Sequence, residues 1–86
     1  MALVTLRGQL RTIAGGRPDH RVPGATVGEL LRELERSQPA LGGWVLDERG
    51  AIRRHINVFV SGERAGAETA VSDSDRVEIL PAISGG

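Results

Sequence analysis

The sequence contains no cysteine and no lysine, and its aromatic residues are limited to one Phe and one Trp. The absence of cysteine excludes a disulfide scaffold, a thiolate metal site and a cysteine nucleophile. No apolar run reaches the roughly 20 residues of a membrane span. The first residues also lack the charged region and the long apolar stretch of a signal peptide. We therefore expect a soluble, cytoplasmic protein.

The charges of the chain cancel, because eleven arginines balance eleven Asp and Glu residues. No net field is then available to attract nucleic acid or an anionic membrane, so neither is expected as a partner. The chain of 86 residues is long enough for one small core. With 40% hydrophobic residues, that core is expected to fold. Since every basic residue is arginine, the α-amino group is the only primary amine.

Periodicity predicts four strands and one long helix, in the order strand, strand, helix, strand, strand. The predicted strands cover residues 3–7, 20–22, 56–60 and 76–80. The first two are expected to form a hairpin with a loose connection, and Pro81 is expected to end the last one. The stretch 41–46 carries apolar residues without a clear period.

The helix is predicted to begin after Thr26, where Thr26-Val27-Gly28-Glu29 has the pattern of a capping box. Val27, Leu30, Leu31 and Leu34 then share one face, and Pro39 stops the helix near Ser37. That stripe must be buried against a sheet. The residues expected to receive it are Val4, Leu6, Val58, Val60, Val77 and Ile79.

This plan is that of an α+β protein with the β-grasp (ubiquitin-like) fold, in which one main helix packs on one face of a mixed sheet. The element order alone also permits other small α+β arrangements. Residues 1–80 are expected to form the β-grasp domain and residues 81–86 an extended C-terminal tail.

Candidate catalytic or metal-binding groups are scattered, and each has a simpler structural interpretation. The two histidines lack a ligand spacing, and the paired aspartates fit a turn better than a calcium loop. Helix glutamates are expected to cap or to face water, and Trp44 is expected to cap the core. The residues considered are His20, His55, Glu29, Glu33, Glu35, Asp73, Asp75, Arg53 and Arg54. We expect no enzyme activity, no metal and no bound cofactor.

The segment Pro81-Ala82-Ile83-Ser84-Gly85-Gly86 is the unusual feature. Six extended residues reach about 20 Å, and two glycines without Cβ atoms can enter a narrow channel. We expect Gly86 to be the true C-terminus, so that its α-carboxylate reaches the active site of another protein. A carboxylate reacts with nucleophiles only after activation, which adenylation by ATP provides.

The chain resembles the ubiquitin-like sulfur carriers of the MoaD/ThiS family. The resemblance covers nearly the whole chain and is most specific in the block from Asp73 to Gly86. Further matches are Ile56-Asn57-Val58-Phe59-Val60-Ser61-Gly62, the helix start Thr26-Val27-Gly28-Glu29-Leu30-Leu31, and the hairpin from Leu10-Arg11 to Gly15-Gly16, which is similar to that of cysteine-type carriers.

The resemblance implies that an E1-like enzyme, using ATP, adenylates Gly86 and converts it to a thiocarboxylate. It also implies that the sulfur passes to a partner biosynthetic enzyme, for cysteine, molybdopterin or secondary-metabolite sulfur insertion. Gly85 and Gly86 are then the reacting end. Strand alternation places Phe59 and Leu80 on the sheet face away from the helix, where we expect an exposed apolar docking patch. That patch would consist of Phe59, Leu80, Pro81, Ile83 and Ser84.

Three alternatives remain open at this stage. The chain is a ubiquitin-like modifier joined to target lysines, the small subunit of molybdopterin synthase, or an interaction module whose tail has no chemical role. The same tail serves the first two, so the sequence does not separate them from a free carrier.

Overall fold

The computed structural model describes residues 1–81, and residues 82–86 lie outside the described part. A five-stranded mixed sheet has the order β2-β1-β5-β3-β4. Its strands are β1 (Ala2–Leu6), β2 (Asp19–Val22), β3 (Ile56–Val60), β4 (Glu63–Arg64) and β5 (Arg76–Pro81). β1 and β5 are parallel, and the other neighbouring pairs are antiparallel. The first and last strands of the chain therefore lie side by side in the middle of the sheet.

The long helix, α2 (Val27–Ser37), has the predicted bounds and packs on one face of the sheet. Its apolar stripe is fully buried, together with the inward residues of the central strands. Each buried leucine contributes about 1.5–3 kcal/mol relative to an exposed one. Of the six residues expected beneath the helix, only Val60 is half-buried rather than buried.

The N-terminus of α2 is capped nearly as predicted. The Thr26 hydroxyl accepts a hydrogen bond from the Glu29 N–H at 3.3 Å. The Glu29 carboxylate, however, accepts from the N–H of Ala25 at 3.3 Å and not from that of Thr26. The expected reciprocal bond is thus wrong by one residue.

Three short elements were missed by the sequence analysis, and one of them is a 3₁₀ turn, Pro39–Leu41, that follows α2. A one-turn helix, α1 (Gln9–Ile13), lies in the connection between β1 and β2, and the strand β4 forms where only a turn was expected. α1 buries only Leu10 fully, and both β4 residues are exposed, so neither element carries a readable apolar period. Strand β5 also runs one residue further than predicted, through Pro81.

The irregular stretch after α2 contributes to the core. Leu41, Val45 and Leu46 are buried although they follow no period. Glu35, which was expected to face water, holds this stretch in place: its Oε2 accepts from the N–H groups of both Val45 and Leu46 at 3.0 Å. The prediction for Glu35 was wrong because those amides are ten and eleven residues away in the chain.

The prediction for Trp44 was also wrong. Its side chain is 43% exposed and does not cap the core, although Leu41 before it and Val45 directly after it are buried. His20 has the expected hairpin role, since its ring nitrogen Nε2 lies 3.0 Å from the carbonyl oxygen of Arg17 in the same hairpin.

Candidate functional site

The candidate site is the end of the sheet where β5 finishes. β5 is the central strand, paired with β1 on one side and with β3 on the other. Its last residue, Pro81, lies opposite Ile56, the first residue of β3. Because both neighbours hold β5 through backbone pairing, the base of the C-terminal segment has a fixed position in the fold.

Gly8 lies directly against Pro81. A Cβ atom on residue 8 would stand 3.2 Å from Cγ of Pro81, which is closer than ordinary packing allows. Gly8 also has φ 59° and ψ −137°, a backbone conformation that residues with a side chain avoid. Both constraints favour glycine here, and they fix how the chain leaving β1 packs on the end of β5.

Phe59 and Leu80 lie on the sheet face away from α2, as alternation predicted. In the β3–β5 register, Val58 and Ile79 are paired and buried, whereas Phe59 lies opposite Glu78 and Leu80 lies opposite Asn57. Phe59, Leu80 and Pro81 are nevertheless half-buried rather than exposed. The apolar patch is therefore narrower than expected, and its role in docking stays a prediction.

Charged groups border this apolar pair on both sides. The Arg7 guanidinium pairs with the Glu78 carboxylate at 3.1 Å, and the Arg64 guanidinium lies 5.9 Å from the centre of the Phe59 ring. That distance is within the range of a cation–π contact. The outer face thus combines two large apolar side chains with a rim of charges, which is the usual composition of a transient protein interface.

Ile83, Ser84, Gly85 and Gly86 lie outside the described residues. The predicted roles of these four residues, as the far part of the patch and as the reacting end, remain predictions.

The opposite end of the sheet is built around Asp75. The Ser72 N–H and the Ser61 hydroxyl both donate to its carboxylate at 2.8 Å. These bonds, that of Ser72 first, hold the pKa of Asp75 below its ordinary value of 3.8. Asp73 accepts from the α-amino group of Met1 at 2.8 Å, and that contact lowers its pKa as well. The expected turn role of both aspartates is confirmed.

Trp44 lies beside the turn that precedes β3. Together with Gly43, Arg53 and His55 it lines a shallow depression of about 340 Å³. The sequence analysis considered Arg53, Arg54 and His55 but did not place Trp44 beside them. Trp44 and Arg53 are nine positions apart in the sequence, and both lie outside the helices and strands.

Within residues 1–81, no three His, Asp or Glu side chains come close enough to hold a metal ion together. In the same part of the chain, no helix is long and apolar enough to cross a membrane.

Comparison with known proteins identifies the family. The model of the ThiS family matches residues 4–86, which include most of β1, all the other strands and the Gly-Gly end. The chain belongs to the ThiS family. The predicted membership is confirmed.

Named relatives of this ThiS-family chain fall into two groups. It is 32% identical to the sulfur carrier protein CysO of Mycobacterium tuberculosis over 83 residues, covering 90% of this chain and 89% of the relative. It is 36% identical to small archaeal modifier protein 3 of Haloferax volcanii over 66 residues, covering 72% of this chain and 71% of the relative. The family to which the chain belongs therefore includes sulfur carriers and small ubiquitin-like modifiers.

Solved structures agree with the fold of this ThiS-family chain. A chain in the crystal structure of the Amycolatopsis orientalis BexX/CysO complex superposes with a TM-score of 0.86 at 33% identity, and the match covers 100% of both chains. The β-grasp prediction is confirmed. That neighbour was crystallised in a complex with a partner protein.

Proposed function

We propose that this chain is a sulfur carrier that acts as a covalent co-substrate through the α-carboxylate of Gly86. An E1-like enzyme adenylates that carboxylate and converts it to a thiocarboxylate, and the thiocarboxylate donates sulfur to a biosynthetic enzyme. The observation that carries the proposal is the family match, which extends through Gly86. The C-terminal segment follows β5, a central strand paired with β1 on one side and with β3 on the other.

The chemistry begins with activation. The Gly86 carboxylate oxygen attacks the α-phosphorus of ATP, which forms an acyl-adenylate and releases pyrophosphate. A sulfide equivalent then attacks the acyl carbon and displaces AMP, leaving a thiocarboxylate at Gly86. Without this activation a carboxylate is too poor an electrophile to accept sulfur.

Delivery uses the thiocarboxylate sulfur as a nucleophile. It displaces a leaving group from an electrophilic carbon of the acceptor substrate, and that group departs with its bonding electron pair, so that a thioester forms. Water then cleaves the bond between the sulfur and the acyl carbon of Gly86. Cleavage releases the thiol product and regenerates the Gly86 carboxylate, so the carrier returns unchanged. Gly85 and Gly86 suit a narrow channel because neither residue has a Cβ atom.

The fold supports this role by presenting the C-terminal segment from a rigid base. β5 has neighbours on both sides, and Gly8 packs on Pro81 at its end. Residues 82–86 extend at most about 17 Å at 3.3 Å per residue. The activating enzyme and the acceptor enzyme are therefore expected to contact the same end of the sheet, near Phe59, Leu80 and Pro81.

Intact mass spectrometry tests the proposal. The chain is incubated with ATP, a sulfide source and the E1-like enzymes encoded in the same genome. Replacement of one oxygen by sulfur adds about 16 Da, and the gain should depend on ATP. Removal of Gly85 and Gly86 should abolish it, and so should replacement of both glycines by isoleucine. A wild-type chain that never gains this mass with any such enzyme contradicts the proposal.

A second candidate function is conjugation to proteins, favoured by the 36% identity to small archaeal modifier protein 3. In that case a target lysine amine attacks the activated Gly86 and forms an isopeptide bond. Trypsin would not leave a Gly-Gly remnant alone on such a target, because the last arginine of this chain is Arg76. The remnant to search for on target lysines is therefore the ten-residue peptide from Val77 to Gly86.

A further inference from the structure

A basic and aromatic cluster lies beside the end of β5. The turn before β3 is closed by a hydrogen bond from the Ile56 N–H to the Arg53 carbonyl at 3.0 Å. Ile56 is the residue opposite Pro81. Arg53, Arg54 and His55 therefore adjoin the point from which the C-terminal segment continues. We call these three residues and Trp44 the tail-base cluster.

Trp44 joins this cluster through the backbone of its neighbour. The Arg53 N–H donates to the Val45 carbonyl at 2.9 Å, which places the chain around residue 44 alongside the turn. Trp44 is 43% exposed, and the depression of about 340 Å³ between it and His55 is open to solvent. Trp44 is the most exposed large hydrophobic side chain among residues 2–81. Tryptophan and arginine are the residues that most often dominate binding energy at protein interfaces.

The side chains of the cluster form no ion pair within the part of the chain that the structure describes. None of the ion pairs among residues 1–81 includes Arg53, Arg54 or His55. The carboxylate of Asp47 accepts from the N–H groups of Arg49 at 2.9 Å and of Ala51 at 3.0 Å. These two bonds, and to a smaller extent the charges of Arg49 and Arg53, lower the pKa of Asp47. Asp47 therefore offsets part of the charge of Arg53, and Arg54 is the exposed cation of the cluster.

Arg53 has an additional unsatisfied group. Its Nε is buried and has no hydrogen-bond acceptor among residues 1–81. A buried donor without an acceptor is unfavourable. A partner outside the molecule does not reach this buried atom. The preference for an acidic partner therefore depends on Arg54, which is exposed and forms no ion pair among residues 1–81.

We propose that the tail-base cluster is a docking surface for the activating enzyme, and that it binds an acidic rim around the channel that receives residues 82–86. The inference rests on the proposed function, because it assumes that the segment enters an enzyme. The cluster is distinct from the apolar pair Phe59 and Leu80, which lies on the outer sheet face.

The cluster acts on binding rather than on the reacting atoms. Gly86 is the fifth residue after Pro81, at a distance of up to about 17 Å when the chain is extended. Charges at this distance from the chemistry steer and orient the partner, and they are screened by salt. The expected signature is therefore a salt-dependent change in KM with an unchanged kcat.

A protein partner fits better than nucleic acid. Stacking of single-stranded nucleic acid uses several aromatic side chains along a basic groove. This cluster has one aromatic residue, and the whole chain has zero formal net charge.

The test is ATP–pyrophosphate exchange by the E1-like enzyme that activates the wild-type chain, measured with Arg54→Glu and with Arg76→Glu as the matched control. Both arginines are exposed, and Arg76 begins β5 at the opposite end of the sheet. We expect Arg54→Glu to raise the enzyme's KM for this chain about tenfold at low salt and to leave kcat unchanged. Near 0.5 M salt the increase in KM should be several-fold smaller. Arg76→Glu should stay within about twofold of wild type. Melting temperatures of both variants check the fold.

A direct probe follows from the single tryptophan. Chain labelled with 5-fluorotryptophan gives one ¹⁹F signal from Trp44, which should shift or broaden on addition of the enzyme. Equal KM values for Arg54→Glu and Arg76→Glu would overturn the inference, as would a ¹⁹F signal that responds to a single-stranded oligonucleotide and not to the enzyme. These two outcomes do not affect the proposed function as long as the wild-type chain gains about 16 Da in the intact-mass experiment. A wild-type chain that does not gain this mass would count against the proposed function itself.

Discussion

Gly8 packs against Pro81 so closely that a Cβ atom on residue 8 would stand 3.2 Å from Cγ of the proline. The first strand thus leaves the sheet by passing over the end of the last one. This contact joins two residues that are 73 positions apart in the sequence.

Replacement of Gly8 by alanine is expected to destabilise the protein by about 1–3 kcal/mol, because φ 59° with ψ −137° is unfavourable for alanine and the Cβ presses on Pro81. Urea denaturation measures the loss. Gly66→Ala is the control, since its φ is ordinary and nothing lies within 4 Å, and it should change stability by less than about 0.5 kcal/mol. Equal losses in the two variants would contradict this account of Gly8.

Replacement of Glu35 by alanine should cost about 1–3 kcal/mol, because it leaves the N–H groups of Val45 and Leu46 without their shared acceptor. Glu35→Gln, which keeps one acceptor oxygen but not the charge, should cost less. Thermal or urea unfolding gives both values. Glu33→Gln is the control, because Glu33 makes only an exposed 3.5 Å pair with Arg36. A loss from Glu33→Gln as large as that from Glu35→Ala would disprove the assigned role.

Replacement of Phe59 by alanine should raise KM for activation about tenfold and leave kcat unchanged, if the outer face docks the enzyme. ATP–pyrophosphate exchange measures both constants. Leu3→Ala is a matched control, because Leu3 is also half-buried on the outer face but lies beside Arg76, far from Pro81. KM values that rise equally in both variants would point to a general loss of stability instead of docking.

The turn around Asp75 predicts a pH dependence. Hydrogen bonds from Ser72 and Ser61 lower the folded-state pKa of Asp75 below 3.8. A depressed pKa stabilises the folded protein above pH 3.8, and this contribution is lost as the pH falls through the lower folded value. Asp75→Asn should therefore lower the melting temperature at pH 7.

The difference between Asp75→Asn and wild type should shrink as the pH falls below 3.8. Melting curves from pH 7 down to about pH 2 follow it. Glu68→Gln is the control, since Glu68 is exposed and forms no ion pair within residues 1–81. A difference between Asp75→Asn and wild type that stays constant with pH would contradict the assigned hydrogen bonds.

The regular elements of the fold could be predicted from the sequence. The stripe of Leu30, Leu31 and Leu34 and the cap at Thr26 gave the bounds of α2, and the alternation around Val58 gave β3. These signals are local: each depends on the spacing of residues within a single helix or strand. Membership of the family was likewise predicted from the sequence and is confirmed by the comparisons. The reacting role of Gly85 and Gly86 stays a prediction.

What required the tertiary structure are contacts between residues far apart in the chain. Glu35 accepts from the amides of Val45 and Leu46. Gly8 packs on Pro81, and Trp44 lies beside Arg53. No periodic pattern in the sequence predicts these three contacts. These contacts depend on the order of the strands in the sheet and on where the irregular segments pack against the helix and the sheet. The sequence by itself determined the long helix, the main strands and the family to which the chain belongs. The packing of the whole chain decided which side chains surround the base of the tail, because only the folded core brings its two ends together.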